Sequence, residues 1–315
     1  MKNRDYSLDF LAGILLLQII YNHCCSISKS VSIDLSFLAF YMPWFFYKGG
    51  MFFKTLESKQ MLMGGGKRLL LPFMKYSIIG LSIDFILSQL KDVSVLDFSL
   101  RQVKYILLQG SFFGNLPLWF LPALFGARLL SNYFVNHKWN MILSVTLLYT
   151  VSILLNYIQV NVTSYIPYMV CTICTGTMFF LLGALLKDIQ YDKHIFLISG
   201  FVYITFLYFG IPIIDMRTNL TVHGFYCLWL PFSVSGCLFF NNIVHHISVR
   251  FIESEYNLFT CVGTNSMTYY VWHWIFLLLA NYLLINIIHV PKEYCLLFTL
   301  MIVALCLFLV RKKTI

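Results

Sequence analysis

Long apolar stretches separated by short polar connections run along the whole chain. A helix needs ~20 mostly apolar residues to cross a hydrocarbon core of ~30 Å. This spacing predicts an all-α, polytopic transmembrane helical bundle of about ten helices that forms a single domain over residues 1–315. The predicted helices are 8–27, 35–53, 69–90, one that starts near 117, 140–158, 168–186, 195–211, 224–243, 263–284 and 294–310.

The basic residues favour one side of the predicted bundle. Lys and Arg concentrate in alternate connections, and this bias places both termini in the cytoplasm. The longest outer connection is 91–116, and the apolar residues in its middle recur at helical spacing. That segment is therefore predicted to lie as a helix in the membrane interface.

The composition agrees with a membrane protein. Hydrophobic residues make up 59% of the chain and charged residues 11%, whereas soluble domains carry roughly 25% charged residues. The net charge of +9 is spread over the connections, so it does not indicate a nucleic-acid partner. The nine cysteines lie mostly in apolar segments, and we expect neither a disulfide framework nor a metal site. Cys171 and Cys174 have redox or zinc-like spacing, but without nearby His or acidic partners the spacing favours helix packing.

The first predicted helix is apolar except near its ends. Its polar residues are Asp9 near the start and the pair Asn22-His23 near the end. At ~100° per residue, one face carries Asp9, Gly13, Leu16, Ile20 and His23. Ionisable side chains in lipid usually face a protein interior or a wet cavity, so this face is predicted to line a site. The alternative is that Asn22 and His23 only form hydrogen bonds to neighbouring helices.

The second predicted helix holds three unusual residues. Pro43 is predicted to kink it, and Gly50, which follows Gly49, would allow close backbone approach. Lys48 places a charge within the membrane. It could extend its ammonium to the inner interface, or it could pair with a carboxylate or substrate.

The connection over residues 54–68 ends in three glycines followed by Lys67 and Arg68. Its composition is typical of a loop, and exposed amides with two cations could hold a phosphate. The spacing is not that of a P-loop. The alternative is a charge cluster that only sets the topology.

Two later segments carry candidate binding residues. Trp119 lies at the predicted outer end of a helix, as an interfacial residue or as a platform for a sugar ring. Ser266, Tyr270 and His273 recur at i, i+4 and i+7, which places them on one helical face. His273 could equally be a polar residue in helix packing.

Five sequence blocks follow one another over nearly the whole chain. The blocks are Arg4 and Leu8-Asp9 with Asn22-His23, Tyr41-Met42-Pro43-Trp44-Phe45-Phe46 through Gly50, Lys67-Arg68 through Pro72, Trp119-Phe120-Leu121 with Ala123-Leu124-Phe125, and Gly263 through Ser266, Tyr270 and His273. In this order they resemble the acyltransferase 3 family of integral membrane O-acyltransferases, in particular its fucose 4-O-acetylase-like branch.

The resemblance implies transfer of an acyl group, usually acetyl from acetyl-CoA, to a hydroxyl of a cell-envelope sugar in a bacterial cytoplasmic membrane. Acyl-CoA is then a co-substrate, the sugar and the lipid bilayer are partners, and no cofactor is held permanently. The resemblance implies that His23 is the catalytic residue and that basic residues at the cytoplasmic face, here Lys67 and Arg68, hold the CoA phosphates. We predict in addition that Asn22 assists catalysis and that Lys48 contributes to the CoA site. Trp119, Ser266, Tyr270 and His273 are the predicted substrate-binding residues.

The chain departs from the family pattern at three positions. Many members have a basic residue eleven positions before the histidine, where this chain has Ala12. Gly49 replaces the usual serine, and Lys48 replaces an apolar residue. Asp9 lies 14 residues from His23, ~21 Å along a helix, so it belongs at the inner end, near the basic connection. Three alternatives stay open: a flippase or transporter of a lipid-linked sugar, a glycan polymerase or ligase, and an inactive paralogue.

Overall fold

The computed structural model describes residues 6–28, 33–162, 166–246 and 257–310, and these are mainly helical. A short hairpin of β1 (Ile213–Asp215) and β2 (Leu220–His223) is the sheet found within these ranges. The helices are α1 (Tyr6–Ser28), α2 (Tyr41–Met51), α3 (Ser58–Gly65), α4 (Leu71–Gln89), α5 (Val95–Gln109), α6 (Phe120–Asn136), α7 (Met141–Asn161), α8 (Tyr168–Leu186), α9 (Lys193–Phe209), α10 (Tyr226–His246), α11 (Leu258–Thr264), α12 (Ser266–Tyr282) and α13 (Lys292–Val310).

The predicted fold class, a polytopic helical bundle, is confirmed. Seven helical segments of the described residues are long and apolar enough to cross a membrane, and two more apolar helices are shorter. The cytoplasmic position of both termini stays a prediction, and residues 1–5 and 311–315 themselves lie outside the described ranges. The seven segments are Tyr6–Ile27, Ser58–Gln89, Val95–Asn136, Met141–Asn161, Tyr168–Leu186, Tyr226–His246 and Ser266–Ile287.

The second predicted helix is shorter than its apolar pattern indicated. A 3₁₀ turn over Ser36–Leu38 comes first, and α2 then runs from Tyr41 to Met51. The predicted kink at Pro43 is wrong, because this residue lies in the first turn of α2. A missing N–H there removes no hydrogen bond within the helix, so proline starts the helix instead of bending it.

The glycine run before Lys67 and Arg68 is helical, and the loop expected there is wrong. It closes α3 and continues through a π-helical turn, Gly66–Leu70, into α4. Gly65 is buried, and a Cβ on it would lie 2.8 Å from the Phe125 ring of α6. The helix crossing therefore needs a residue without a side chain, whereas Gly64 and Gly66 have open space around them.

Glycines also let two helix pairs meet backbone to backbone. A Cβ on Gly13 of α1 would lie 1.9 Å from the Phe259 carbonyl oxygen, and one on Gly263 of α11 would lie 1.7 Å from the Asp9 carbonyl oxygen. A Cβ on Gly50 of α2 would likewise lie 1.8 Å from the Phe180 carbonyl oxygen of α8. The close approach predicted at Gly50 is confirmed, and these contacts fix the depth of α1 and α2 in the bundle.

The helix predicted in the outer connection is present as α5. Ser94 caps its start by accepting from the Asp97 N–H, and Gly110 ends it with φ +71°. Asp84 of α4 holds it, since its Oδ2 accepts from Arg101 Nη2 at 2.9 Å and from Gln102 Nε2 at 2.7 Å. The opposite face is apolar and exposed, as expected of an interfacial helix; it carries Leu96, Leu100, Val103 and Leu107.

Candidate functional site

A cavity of about 350 Å³ opens near the C-terminal end of α1, which the predicted topology assigns to the outside. We call it the His23 cavity. Five parts of the chain form its wall: α1, the start of α2, the 3₁₀ segment Phe113–Trp119, the hairpin and α12. The lining side chains with polar or aromatic groups are Asn22, His23, Ser26, Tyr41, Trp119, Asp215, Arg217, Tyr270 and Trp274.

Aromatic rings of α12 hold the His23 imidazole. The Trp274 ring meets it edge-on at a centroid distance of 5.2 Å, and the His273 ring stacks on it at 5.5 Å with 20° between the planes. His273 is fully buried and does not line the cavity. Its Nδ1 lies 2.7 Å from the Tyr270 carbonyl oxygen. A carbonyl only accepts, so Nδ1 carries the proton in this arrangement.

The Phe113–Trp119 segment is fastened to α12 by side-chain hydrogen bonds. Asn115 Nδ2 donates to the Val271 carbonyl oxygen at 3.0 Å, and Trp274 Nε1 donates to that of Phe113 at 3.2 Å. The Tyr270 hydroxyl donates to the Pro117 carbonyl oxygen. Tyr270 therefore builds the wall of the cavity, and the fastened segment positions the Trp119 ring there.

The hairpin contributes two charged residues that the sequence patterns did not single out. Asp215 ends β1, and its Oδ1 accepts from the backbone N–H of Arg217 at 3.0 Å. Arg217 Nη1 donates to Gln109 Oε1 at the end of α5, also at 3.0 Å. The only sequence signal was an Asp-x-Arg triplet in a short outer connection, and this pattern alone carries no chemistry.

Buried polar contacts fix the hairpin independently of its charges. Asn219 takes a positive φ of 58°, which asparagine tolerates better than most residues. Its Nδ2 donates to the Ser152 carbonyl oxygen at 3.0 Å, and its Oδ1 accepts from the Tyr226 hydroxyl. These bonds join the turn to α7 and α10, so the hairpin covers the cavity in a defined position.

A smaller apolar space of about 90 Å³ adjoins the His23 cavity, and we call it the apolar slot. The two spaces share Ile19, Met42 and Tyr270 as walls. Ser266 lines the slot and not the His23 cavity, Tyr270 lines both, and His273 lines neither. The three residues predicted to share one helical face therefore do not line one common space. The other walls of the slot are Leu16, Phe45, Phe120, Leu121 and Met267.

A third space of about 150 Å³ lies between α3 and α6, and we call it the Arg68–Arg128 pocket. Arg68 and Arg128 both line it, together with Gln60 and the two glycines that end α3, Gly64 and Gly65. Arg128 Nε is buried and has no hydrogen-bond partner within the described part of the chain. Lys67 is exposed and does not line this pocket. Sequence reasoning missed Arg128, which stands inside an apolar helix.

Lys48 lies away from all three spaces. Its ammonium is 3.3 Å from Asp9 Oδ1 and donates to the Leu8 carbonyl oxygen at 3.1 Å. It also lies over the Trp44 ring, 5.3 Å from the centroid. Of the two readings of Lys48, the structure favours pairing with a carboxylate. Asp9 is accordingly joined to α2 near the N-terminal end of α1.

The predicted site residues therefore divide into groups. Those that meet at the His23 cavity are Asn22, His23, Pro43, Trp119 and Tyr270. His273 lies directly behind His23 and Ser266 lies in the slot, whereas Arg68 is in the third pocket. The remaining predicted residues, which are Asp9, Lys48, Gly50 and Lys67, lie outside these walls.

Comparison with models of known protein families identifies a match over almost the whole chain. The family model described as an acyltransferase domain, that of acyltransferase 3, matches residues 5–311. No curated protein and no solved structure matches the chain. The matched range includes every space described above, as well as the blocks from Leu8 to His273.

Proposed function

The chain belongs to the acyltransferase 3 family, and we propose that it moves an acyl group, acetyl in the simplest case, from acyl-CoA to a hydroxyl of a cell-envelope sugar in a bacterial cytoplasmic membrane. Membership makes it a membrane acyltransferase; donor, acceptor and site are our proposal. One observation carries it: His23 stands in a cavity of about 350 Å³, a size typical of small-ligand sites.

His23 is the proposed general base. It takes the proton of the acceptor hydroxyl while that oxygen bonds to the thioester carbonyl carbon. The tetrahedral intermediate then collapses, the carbon–sulfur bond breaks, and the CoA thiolate leaves with the proton that His23 returns. The stacked His273 and the edge-on Trp274 restrict the imidazole to one orientation, which such a base needs.

The acceptor is proposed to lie against the aromatic wall of the His23 cavity. Trp119 and Trp274 supply broad apolar surfaces, and Tyr41 and Ser26 supply hydroxyls. Sites for small ligands combine such surfaces with a few polar groups that fix orientation. Asn22 is next to the base in the chain and lines the same cavity, so we assign its carboxamide to the oxyanion of the intermediate.

The donor is proposed to enter from the Arg68–Arg128 pocket. Trp119, directly before α6, lines the His23 cavity, whereas Leu121 and Arg128 of α6 line the slot and the pocket. The three spaces therefore follow one another along this part of the chain. Leu121 and Arg128 are two turns apart on one face, ~10 Å along the axis. Two guanidinium groups suit the CoA phosphates, and the slot suits the apolar end of the thioester.

The test of the function is release of free CoA from acetyl-CoA by the purified protein in lipid nanodiscs. We expect release only when a lipid-linked glycan fraction is supplied, together with acetyl groups recovered on the glycan. A folded protein that binds the glycan but leaves acetyl-CoA intact would contradict the proposal. Movement of glycan across the bilayer without CoA turnover would favour a flippase.

The donor site makes a separate prediction. Arg68→Gln and Arg128→Gln should each raise the apparent KM for acetyl-CoA about tenfold, because each loses charge-assisted hydrogen bonds to phosphate. Arg128→Lys should retain part of the affinity. The measurement is CoA release over a range of acetyl-CoA concentrations.

Lys59→Gln is the matched control for the donor site. Lys59 is an exposed cation of α3 outside the pocket, so its loss should leave the KM near that of the parent. Equal KM values in the parent, Arg68→Gln and Arg128→Gln proteins would exclude this pocket as the donor site.

A further inference from the structure

We propose that Arg217 makes the His23 cavity selective for acceptors that carry an anionic group, a carboxylate or a phosphate, next to the hydroxyl that is acylated. The inference rests on the proposed function, since it names the class of acceptor for that site. It starts from a charged residue for which the described part of the chain provides no ion-pair partner.

Arg217 occupies the turn between β1 and β2, where it is half-buried and lines the cavity together with His23. Within the described residues, the Lys and Arg ion pairs are Lys48–Asp9 and Arg101–Asp84. The guanidinium of Arg217 instead donates to the neutral Gln109 amide. A half-buried cation with no paired carboxylate attracts an anion from the ligand.

Arg217 is not needed to hold the hairpin in place. Asn219 already joins the turn to α7 and α10 through buried hydrogen bonds. Thr172 Oγ1 also donates to the Arg217 carbonyl oxygen at 3.0 Å, a bond that any residue at this position would accept. The hairpin therefore does not depend on the charge of Arg217, and guanidinium donors other than the one bonded to Gln109 can serve recognition.

Gln109 acts as the positioning residue for this guanidinium. It closes α5, which Arg101 and Gln102 fasten to Asp84. A guanidinium is protonated at all relevant pH values and presents a rigid fork of donors that matches the two oxygens of a carboxylate or phosphate. The hydrogen bond from Nη1 to Gln109 orients the planar guanidinium of Arg217. Its remaining N–H donors then point in fixed directions.

The one carboxylate on the described cavity wall is Asp215, and it limits where an anion can bind. Its Oδ1 accepts the backbone N–H of Arg217, and its side chain does not pair with the guanidinium. An anionic acceptor would approach Arg217 and avoid Asp215. Removing the Asp215 charge should therefore strengthen anion binding, opposite to the effect of removing Arg217.

The experiment compares three probes that share one sugar ring. These are methyl α-D-glucopyranoside, its uronate with a carboxylate at carbon 6, and α-D-glucose 1-phosphate. Binding to the full-length protein in nanodiscs is measured by calorimetry, with tryptophan fluorescence as a second readout because Trp119 and Trp274 line the cavity. The variants are Arg217→Gln, Arg217→Lys and Asp215→Asn.

We expect the parent to bind at least one anionic probe about tenfold more tightly than the neutral glycoside. Arg217→Gln should abolish this preference, Arg217→Lys should retain part of it, and Asp215→Asn should increase it. Preference for the uronate alone assigns a sugar acid, and preference for the phosphate alone assigns a phosphorylated or lipid-linked sugar. Equal binding of all probes, no binding of either anion, or an unchanged preference in Arg217→Gln would overturn the proposal.

The binding measurement is independent of turnover, so the two proposals fail separately. If acetyl-CoA is never consumed while Arg217 still determines anion binding, the acyl-transfer assignment fails and the anion site stands. If glycan-dependent CoA release occurs but Arg217→Gln keeps the parental preference between the probes, the enzyme assignment stands and the anion site fails. A retained melting temperature in Arg217→Lys shows that the hairpin is still folded.

Discussion

Replacing His23 by glutamine should lower acetyl transfer by about 10²–10⁴-fold, because this is the usual contribution of a positioned general base. Glutamine keeps a polar side chain of similar length but cannot take up a proton at neutral pH. We expect the loss in kcat, with the KM for acetyl-CoA nearly unchanged, since the proposed phosphate site lies in a different pocket. The measurement is steady-state CoA release with the glycan fraction in excess.

Two further variants separate the chemistry of His23 from its packing. His194→Gln makes the same change at an exposed position at the start of α9 and should leave kcat unchanged. His273→Gln removes the ring that stacks on His23 but not the base, so it should cost less than His23→Gln. Equal kcat in the parent and His23→Gln proteins would remove His23 from the mechanism and leave the family assignment intact.

The helices were predictable from the sequence because the solvent of a membrane protein is apolar. A run of apolar residues is sufficient to indicate a span, and the predicted 168–186 coincides with α8, Tyr168–Leu186. The same signal is weak near Pro43 and in the glycine run. At Pro43, the local structure depends on the position of the proline in the first turn of the helix. In the glycine run, it depends on tertiary packing, since the Phe125 ring occupies the space that a side chain on Gly65 would need.

The site was only partly predictable, because its residues are distant in the sequence. His23 was identified because an ionisable side chain is energetically unfavourable in lipid. Trp119 was identified from its position at the end of a predicted helix, and Tyr270 from its helical spacing with Ser266 and His273. Arg217 and Arg128 stood in no pattern that indicates a function, because the role of a single cation in a hairpin or in an apolar helix depends on the residues that it faces. His23 and Arg217 line the same cavity although almost 200 positions separate them in the chain. No local sequence pattern indicates that two such distant residues lie close together.

Lys48→Met should destabilise the protein by about 3 kcal/mol, the lower end of the cost of breaking a buried ion pair. The Asp9 carboxylate would stay at 7% exposure without the ammonium that lies 3.3 Å from it. Lys48 itself is partly exposed, which is why we expect the lower end. The measurement is the free energy of unfolding in a defined detergent, with the melting temperature as a second readout.

The double variant Lys48→Met with Asp9→Leu decides between the two roles of Lys48. Apolar residues in place of a buried pair are often neutral for stability, so the double variant should recover most of the loss. Lys48 lines none of the three spaces. The KM of the double variant for acetyl-CoA should therefore equal that of the parent. A stable double variant with a raised KM would instead favour the predicted role of Lys48, which is to bind the CoA phosphates. In that case the Lys48 ammonium would pair with Asp9 in the unliganded protein and would move to the CoA phosphates when acetyl-CoA binds.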